Sequence, residues 1–102
     1  MMVDSAARRA SVFCRIVGNP LAYEIVRLLE SKRRRPMELA EMLRVSATAV
    51  VNQLKNLKIA GVVRYHSSGV RRAGRRVEYW LADPSLSVCL GRLERCLKEL
   101  SR

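Results

Sequence analysis

Apolar and polar positions alternate at two different spacings along this chain. Five stretches repeat apolar or small side chains every three to four positions, which predicts amphipathic helices. After Gly61 the period shortens from about 3.6 to about 2, which predicts two strands. The predicted helices span residues 3–17, 20–31, 36–43, 47–60 and 84–100, and the strands span 62–66 and 77–81. We therefore predict a mainly α chain with a β-hairpin, in the order α-α-α-α-β-β-α.

Turn and capping residues fall between these stretches. Asn19 is a predicted N-cap, and Pro20 occupies the first position of the second helix. Arg44 and Val45 form a short turn, after which Ser46 can cap the fourth helix and Gly61 can end it in the left-handed conformation. Two helices joined so closely predict a helix-turn-helix over about 36–61, and the hairpin over about 62–81 then forms a wing. This is a winged helix-turn-helix, and we expect one domain over 1–102.

Positive charge is concentrated in the middle of the chain. Residues 31–80 hold 12 Lys and Arg against 3 Asp and Glu, so they carry +9 of the formal net charge of +11. Sixteen of the 20 basic residues are arginine, whose planar fork suits phosphates and guanine edges. A basic surface confined to one segment is typical of proteins that bind polyanions. Double-stranded DNA is the expected partner.

The fourth helix has the pattern of a recognition helix. At 100° per residue, Val50, Leu54 and Leu57 share the core side. Asn can bond to adenine, Thr and Val methyl groups can contact the thymine methyl, and Lys can reach guanine or phosphate. The other interpretation is a merely solvated surface. The predicted DNA-contacting residues of this helix are Ser46, Ala47, Thr48, Val51, Asn52 and Lys55.

Arginines outside that helix supply further predicted DNA contacts. The wing carries four, which suit phosphates or a narrow minor groove. Arg33, Arg34 and Arg35 precede the helix-turn-helix and either contact flanking phosphates or are simply solvated. Of these three, Arg35 is included in the predicted site. The wing arginines are Arg71, Arg72, Arg75 and Arg76.

The last helix has an apolar seam of coiled-coil type, which a free monomer would expose. We expect a homodimer in which a second copy covers the apolar sides of the first helix, about 3–17, and of the last helix, about 84–100, as the family resemblance described below implies. The predicted interface residues are Phe13, Cys14, Leu86, Cys89, Leu90, Leu93, Cys96 and Leu97.

Three cysteines, Cys14, Cys89 and Cys96, are too few and too widely spaced for a disulfide framework or a four-ligand zinc site. One interpretation is that they are small apolar residues packed in the dimer interface. The other is that they bind a soft metal or metalloid, or form a redox-sensitive disulfide. Packing is favoured, and no cofactor is predicted.

Other protein classes fit the sequence less well. A single histidine, with no Gly-rich phosphate loop and no clustered carboxylates, argues against an enzyme. No apolar run is long enough to span a membrane and no signal peptide is evident, so we expect a cytoplasmic protein. Two alternatives remain: an architectural protein that coats DNA with little sequence preference, and a winged helix that binds a protein partner.

Several segments resemble the arsenical-repressor (ArsR-type) family of winged-helix regulators. They are Asn19-Pro20-Leu21 to Leu29, Glu38-Leu39-Ala40, Val45-Ser46 to Leu57, Ala60-Gly61-Val62-Val63 and Val77 to Leu81. The resemblance implies a homodimeric transcriptional repressor whose first and last helices form the interface, often released from operator DNA by a metal or metalloid ion. The family's metal sites do not carry over. Arg35 and Met37 occupy the positions of a Cys-x-Cys pair, and residues 84–100 contain neither Asp nor His. Arg44 stands where the family usually has Gly.

Overall fold

Five helices and a two-stranded hairpin make up the fold, and the predicted order of elements is confirmed. The structure, a computed structural model, describes residues 4–69 and 76–101, so the predicted wing residues Arg71, Arg72 and Arg75 lie outside the described residues. The elements are α1 (Ser5–Val17), α2 (Pro20–Leu28), α3 (Pro36–Leu43), α4 (Ala47–Ile59), β1 (Val63–Ser68), β2 (Arg76–Leu81) and α5 (Ser85–Leu100).

Side-chain caps start the central helices where the sequence predicts them. The Asn19 side-chain oxygen accepts hydrogen bonds from the amides of Leu21 and Ala22, at 2.9 and 3.1 Å. Ser46 Oγ accepts a hydrogen bond from the Ala49 amide at 3.1 Å. These bonds satisfy amides that have no partner within the helix. Each cap therefore fixes the position at which its helix begins.

Two residues with positive φ end α3 and α4. Gly61 has φ +77° directly after α4, as predicted for a left-handed C-terminal cap. Arg44 has φ 56° and ψ 48° directly after α3. A side chain disfavours this conformation, yet the turn still forms, and the Val45 amide donates to the carbonyl of Ala40 at 3.1 Å. The turn that places α4 thus tolerates arginine at a strained position.

The second helix ends at Leu28, three residues before the predicted end. Arg34 explains the difference, because its Nε donates to the Leu28 carbonyl oxygen at 2.8 Å. The Arg34 backbone also exchanges two hydrogen bonds with Tyr79, of 3.0 and 2.8 Å. The chain therefore leaves the helix early and adds one bridge to the outer edge of β2, next to the β1–β2 pair.

The core lies between α2, α3, α4 and the base of the hairpin. The antiparallel register places Val63 opposite Leu81 at the buried end and Ser68 opposite Arg76 at the far end. The predicted inward residues of α4 are fully buried, which confirms its orientation. The largest fully buried side chains are Ile25, Val26, Leu39, Val50, Leu54 and Leu57. Burial of such side chains contributes about 1.5–3 kcal/mol each and holds α4 against α2 and α3.

No helix within residues 4–69 and 76–101 has the length and hydropathy needed to cross a membrane.

Candidate nucleic-acid interface

The face of α4 opposite the core is exposed and carries most of the predicted contact residues. Thr48, Val51, Asn52 and Lys55 are all exposed on it. None of them is needed for packing, because Val50, Leu54 and Leu57 fill the core side. Val51 is a large apolar side chain left in solvent, with a methyl surface that a thymine methyl could cover. These four side chains thus present one amide, one hydroxyl, one ammonium group and several methyl groups outward.

The first residues of α4 have local roles. Ser46 is exposed, but its hydroxyl is already engaged as the N-cap. Ala47 is half-buried and packs against the core. Both lie where the helix N-terminus leaves amides unpaired, a position that attracts phosphates.

The two faces of the hairpin differ in character. On the core-facing side, the Tyr65 and Tyr79 rings lie with centroids 5.8 Å apart, and the Lys58 ammonium lies 4.7 Å from the Tyr65 centroid. Burial raises the pKa of Tyr79, so its hydroxyl stays neutral. This contact between Lys58 and Tyr65 ties the end of α4 to the base of the wing.

The opposite face of the hairpin is basic and exposed. Arg64 pairs with Trp80 across the strands, and Ser68 pairs with Arg76. The guanidinium carbon of Arg33 lies 4.0 Å from the Trp80 ring centroid, which is a cation–π contact. Arg76 is exposed in the first position of β2. On this face Arg33 and Arg64 lie beside Trp80 at the base of the hairpin, and Arg76 lies at its far end.

The three consecutive arginines predicted as one basic loop have three different roles. Arg33 lies against Trp80. Arg34 is half-buried and joins Leu28 to Tyr79. Arg35 is exposed, and its amide donates to the Glu38 carboxylate at 3.0 Å, which lowers the pKa of that carboxyl. Of these three arginines, only Arg33 and Arg35 leave a guanidinium group near the surface. Sequence patterns do not predict these separate roles, because the positions of Arg33 and Arg34 depend on contacts with β2.

With this geometry in place, comparison with known proteins identifies the family. Residues 19–65, which run from the cap of α2 into β1, match the bacterial regulatory protein, arsR family. These residues are an ArsR-family domain. The resemblance drawn from the sequence is therefore confirmed. No curated protein matches the chain in sequence.

Solved structures share the fold of this chain. Rv0081 from Mycobacterium tuberculosis superposes with a TM-score of 0.74 at 23% identity, over 98% of this chain and 100% of its own. Reduced HlyU from Vibrio cholerae gives 0.73 at 21% identity, over 89% and 90%. The homodimeric winged helix-turn-helix DNA-binding domain Mb0332 from Mycobacterium bovis, a possible ArsR-family regulator, gives 0.75 at 19% identity, over 96% and 89%. At these identities the similarity establishes the winged helix-turn-helix fold.

A second surface lies between α1 and α5, two helices that are outside the ArsR-family domain. The predicted seam residues Cys89, Leu93, Cys96 and Leu97 are exposed on α5. Phe13 and Leu86 are half-buried against the core, and Leu90 is only 6% exposed. We predict from sequence that Leu90 lies in the dimer interface, but most of its side chain is buried in the core of its own protomer. The reason is that α5 packs on α2 through this part of the helix.

The space between α1 and α5 is a mainly apolar groove of about 690 Å³. Its walls include Ala10, Phe13 and Cys14 from α1 and Leu86, Cys89 and Leu93 from α5. Cys14 and Cys89 thus line one groove, whereas Cys96 lies further along α5, and all three thiols are exposed. In the part of the chain that the structure describes, no three His, Cys, Asp or Glu side chains form a group able to hold a metal.

Proposed function

We propose that this chain is a sequence-specific double-stranded DNA-binding regulator of transcription that acts as a homodimer. One observation carries the proposal: the exposed face of α4 bears base-reading side chains, and a basic hairpin lies directly beside it. We infer one domain, working in the cytoplasm, where a bacterial chromosome is located. Occupying an operator would block transcription, so repression is the expected direction of control.

On this proposal, the predicted contact residues of α4 bind different groups of the DNA. Asn52 forms paired hydrogen bonds with adenine, and the methyl groups of Thr48 and Val51 contact thymine. Lys55 reaches guanine or a phosphate. Ser46 and Ala47 bring the start of the helix close to a backbone phosphate.

Positive charges outside α4 would hold the duplex without reading it. Arg76 and Arg35 are exposed and contact phosphates on this proposal. Arg71, Arg72 and Arg75 are assigned the same role from sequence alone. Each neutralised phosphate releases counterions, so affinity must fall with salt.

The open apolar surface supports a homodimer. Leu93 and Leu97 are about half exposed, next to a groove that apolar side chains could fill. The terminal segments are nearly neutral, so two copies can approach there without strong repulsion. The Mb0332 domain of similar fold is described as homodimeric. We propose that Phe13, Cys14, Leu86, Cys89, Leu93, Cys96 and Leu97 are covered by the second copy.

The metal-binding sites known in this family do not fit these residues. Arg35 and Met37 provide no thiolate pair, and α5 supplies no Asp or His. The proposal therefore includes no metal step. Cys14, Cys89 and Cys96 are assigned to packing at the interface.

A second candidate function is a DNA-coating protein of low specificity. It is favoured by the small number of hydrogen-bonding side chains, Thr48, Asn52 and Lys55, on the exposed face of α4. Such a protein would bind every duplex with similar affinity.

Selection from a random duplex pool, followed by binding of variants, tests the main proposal. Asn52→Ala should weaken the preferred duplex by about 1–3 kcal/mol and relax preference at an A·T position. Asn56→Ala is the matched control, an exposed asparagine one turn nearer the C-terminus of α4. It should preserve the ranking, because recognition helices contact bases through their N-terminal residues. An unchanged ranking with Asn52→Ala would overturn the assigned reading face.

A second pair of variants tests the phosphate contacts. Arg76→Ala should weaken all duplexes nearly equally and reduce the salt slope by about 1. Arg95→Ala removes another exposed arginine, from α5 and away from the proposed DNA-binding surface, and should leave that slope unchanged.

A further inference from the structure

A buried polar side chain on α5 faces α2. Ser87 is 0% exposed, and within residues 4–69 and 76–101 it is the one polar residue buried to this degree. Arg27 of α2 satisfies it, donating from Nη1 to the Ser87 carbonyl oxygen at 2.7 Å and to Ser87 Oγ at 3.0 Å. A buried polar group without such a partner would destabilise the fold, so this contact fixes the start of α5 on α2.

The same guanidinium group also holds the middle of α5. Arg27 Nε lies 2.9 Å from Glu94 Oε2, and Nη1 lies 2.9 Å from Glu30 Oε1 of its own segment. The Tyr23 hydroxyl, one turn before Arg27, donates to Glu94 Oε2 at 2.6 Å. Tyr23 and Arg27 of α2 therefore hold α5 at two positions seven residues apart, Ser87 and Glu94.

The pKa shifts of Tyr23 and Glu94 follow from this network of hydrogen bonds and charges. Burial and the hydrogen bond to Glu94 raise the pKa of Tyr23 to about 12, so its hydroxyl keeps the proton that it donates. The Tyr23 hydrogen bond and the nearby Arg27 charge lower the pKa of Glu94, so the carboxylate stays ionised. Donor and acceptor thus keep their roles through the neutral range.

Glycine at position 91 makes room for this contact. A Cβ atom built on Gly91 would lie 3.1 Å from both terminal nitrogens of Arg27, closer than ordinary van der Waals contact. Glycine is otherwise a poor residue for the middle of a helix. Its presence in α5 is explained by the guanidinium group that packs over it.

The network and the apolar seam occupy opposite sides of α5. Ser87, Gly91 and Glu94 share one side at helical spacing, and Cys89, Leu93 and Cys96 share the other. Beyond Gly91 every described residue of α5 is exposed, so contacts up to Glu94 determine where the helix points. The helix that holds α5 in place, α2, also packs directly on α4, so α2 links α5 to the proposed recognition helix.

We propose, on the basis of the dimeric function proposed above, that Arg27 is the positioning residue that fixes the rotation and register of α5 on α2. It thereby sets the separation between the two α4 helices of the dimer, and with it the spacing of DNA half-sites that the protein accepts. Lysine could not replace it, because a single ammonium lacks the fork that reaches Ser87 and Glu94 together.

Duplexes that carry two selected half-sites test this role. Their separation is stepped by single base pairs through about one helical turn, roughly 10.5 bp, and the affinity is measured at fixed salt. The parent should show one sharp optimum. Arg27→Met should broaden the optimum and lose roughly tenfold or more in affinity at the best spacing, while a single half-site binds within about twofold of the parent. Arg95→Met, on the exposed side of α5, should behave as the parent does.

A folded Arg27→Met dimer with the parental optimum would overturn the inference. If Arg27→Met does not fold, the same spacing experiment is performed with Glu94→Ala and Glu94→Gln. Of these two variants, only glutamine keeps a hydrogen-bond acceptor for Arg27 and Tyr23. Broadening with alanine and a sharp optimum with glutamine support the inference, and identical behaviour of the two overturns it.

A measurement without DNA separates this inference from the proposed function. A ketone-bearing amino acid introduced in place of Thr48 carries a spin label, so that Cys14, Cys89 and Cys96 remain in place, and the distance between the two labels is measured across the dimer. Arg27→Met should broaden that distance distribution even if no duplex binds, in which case only the DNA-binding proposal fails. An unchanged distribution, or a labelled parent that is monomeric, overturns the inference.

Discussion

Val88 and Leu93 lie about 140° apart around α5 with almost the same exposure, 48% and 50%. Only Leu93 lines the groove next to α1. Equal exposure on different sides makes the two residues a matched pair for locating the dimer interface.

Leu93→Glu should weaken the homodimer at least tenfold, because it places a charge in an apolar interface and tenfold corresponds to only about 1.4 kcal/mol. Val88→Glu adds the same charge outside the seam and should change the dimer dissociation constant less than about twofold. Sedimentation equilibrium measures both constants. Similar values for the two variants would contradict the proposed interface.

Ser46→Ala should reduce the free energy of unfolding by about 1 kcal/mol, because the Ala49 amide loses its acceptor. Ser46→Asn keeps a capping oxygen and serves as the control. Urea denaturation followed by circular dichroism measures the difference. Equal stability of the alanine and parent proteins would show that this cap contributes nothing.

Arg44→Gly should raise the free energy of unfolding by about 1 kcal/mol, because glycine adopts φ 56° without steric conflict. The gain is reduced by the greater freedom of glycine in the unfolded chain. Arg44→Lys keeps both the charge and the strain and should match the parent in the same denaturation experiment. A loss of stability with glycine would mean that the arginine side chain supports the turn.

Stability should fall in acid through Glu94. Its pKa in the folded protein lies below the ordinary 4.5, so its contribution is present above that pH and is lost as the pH falls through the lowered value. Melting temperatures measured from neutral pH into acid should therefore decline, and Glu94→Gln should flatten that decline. Glu99→Gln, an exposed carboxylate of the same helix, is the control. If the melting temperature of Glu94→Gln falls with pH as steeply as that of the parent, groups other than Glu94 cause the loss of stability in acid.

Local chemistry made most of this fold predictable from sequence. Asn19, Ser46 and Gly61 act within three residues of themselves, so their roles as caps can be recognised without a structure. The inward side of α4 follows from helical spacing alone. For the same reason its exposed side, including Asn52, could be predicted before any contact was known.

Contacts between distant segments could not be predicted in this way. Arg34 ends α2 early only because β2 lies beside it, and Arg33 lies over Trp80, 47 positions away. Arg27 and Gly91 form a pair that no local pattern indicates. These arginines cannot be told apart in the sequence, and only packing separates those that bind the protein itself from those left exposed.

The central claim is sequence-specific binding of duplex DNA, and competition binding at fixed salt tests it most directly. A duplex selected from a random pool is labelled, and unlabelled selected or random duplex competes for the protein. We predict that the selected duplex competes at least roughly 10³-fold better than random duplex. A ratio near one would contradict the claim and identify a protein that coats DNA without reading it.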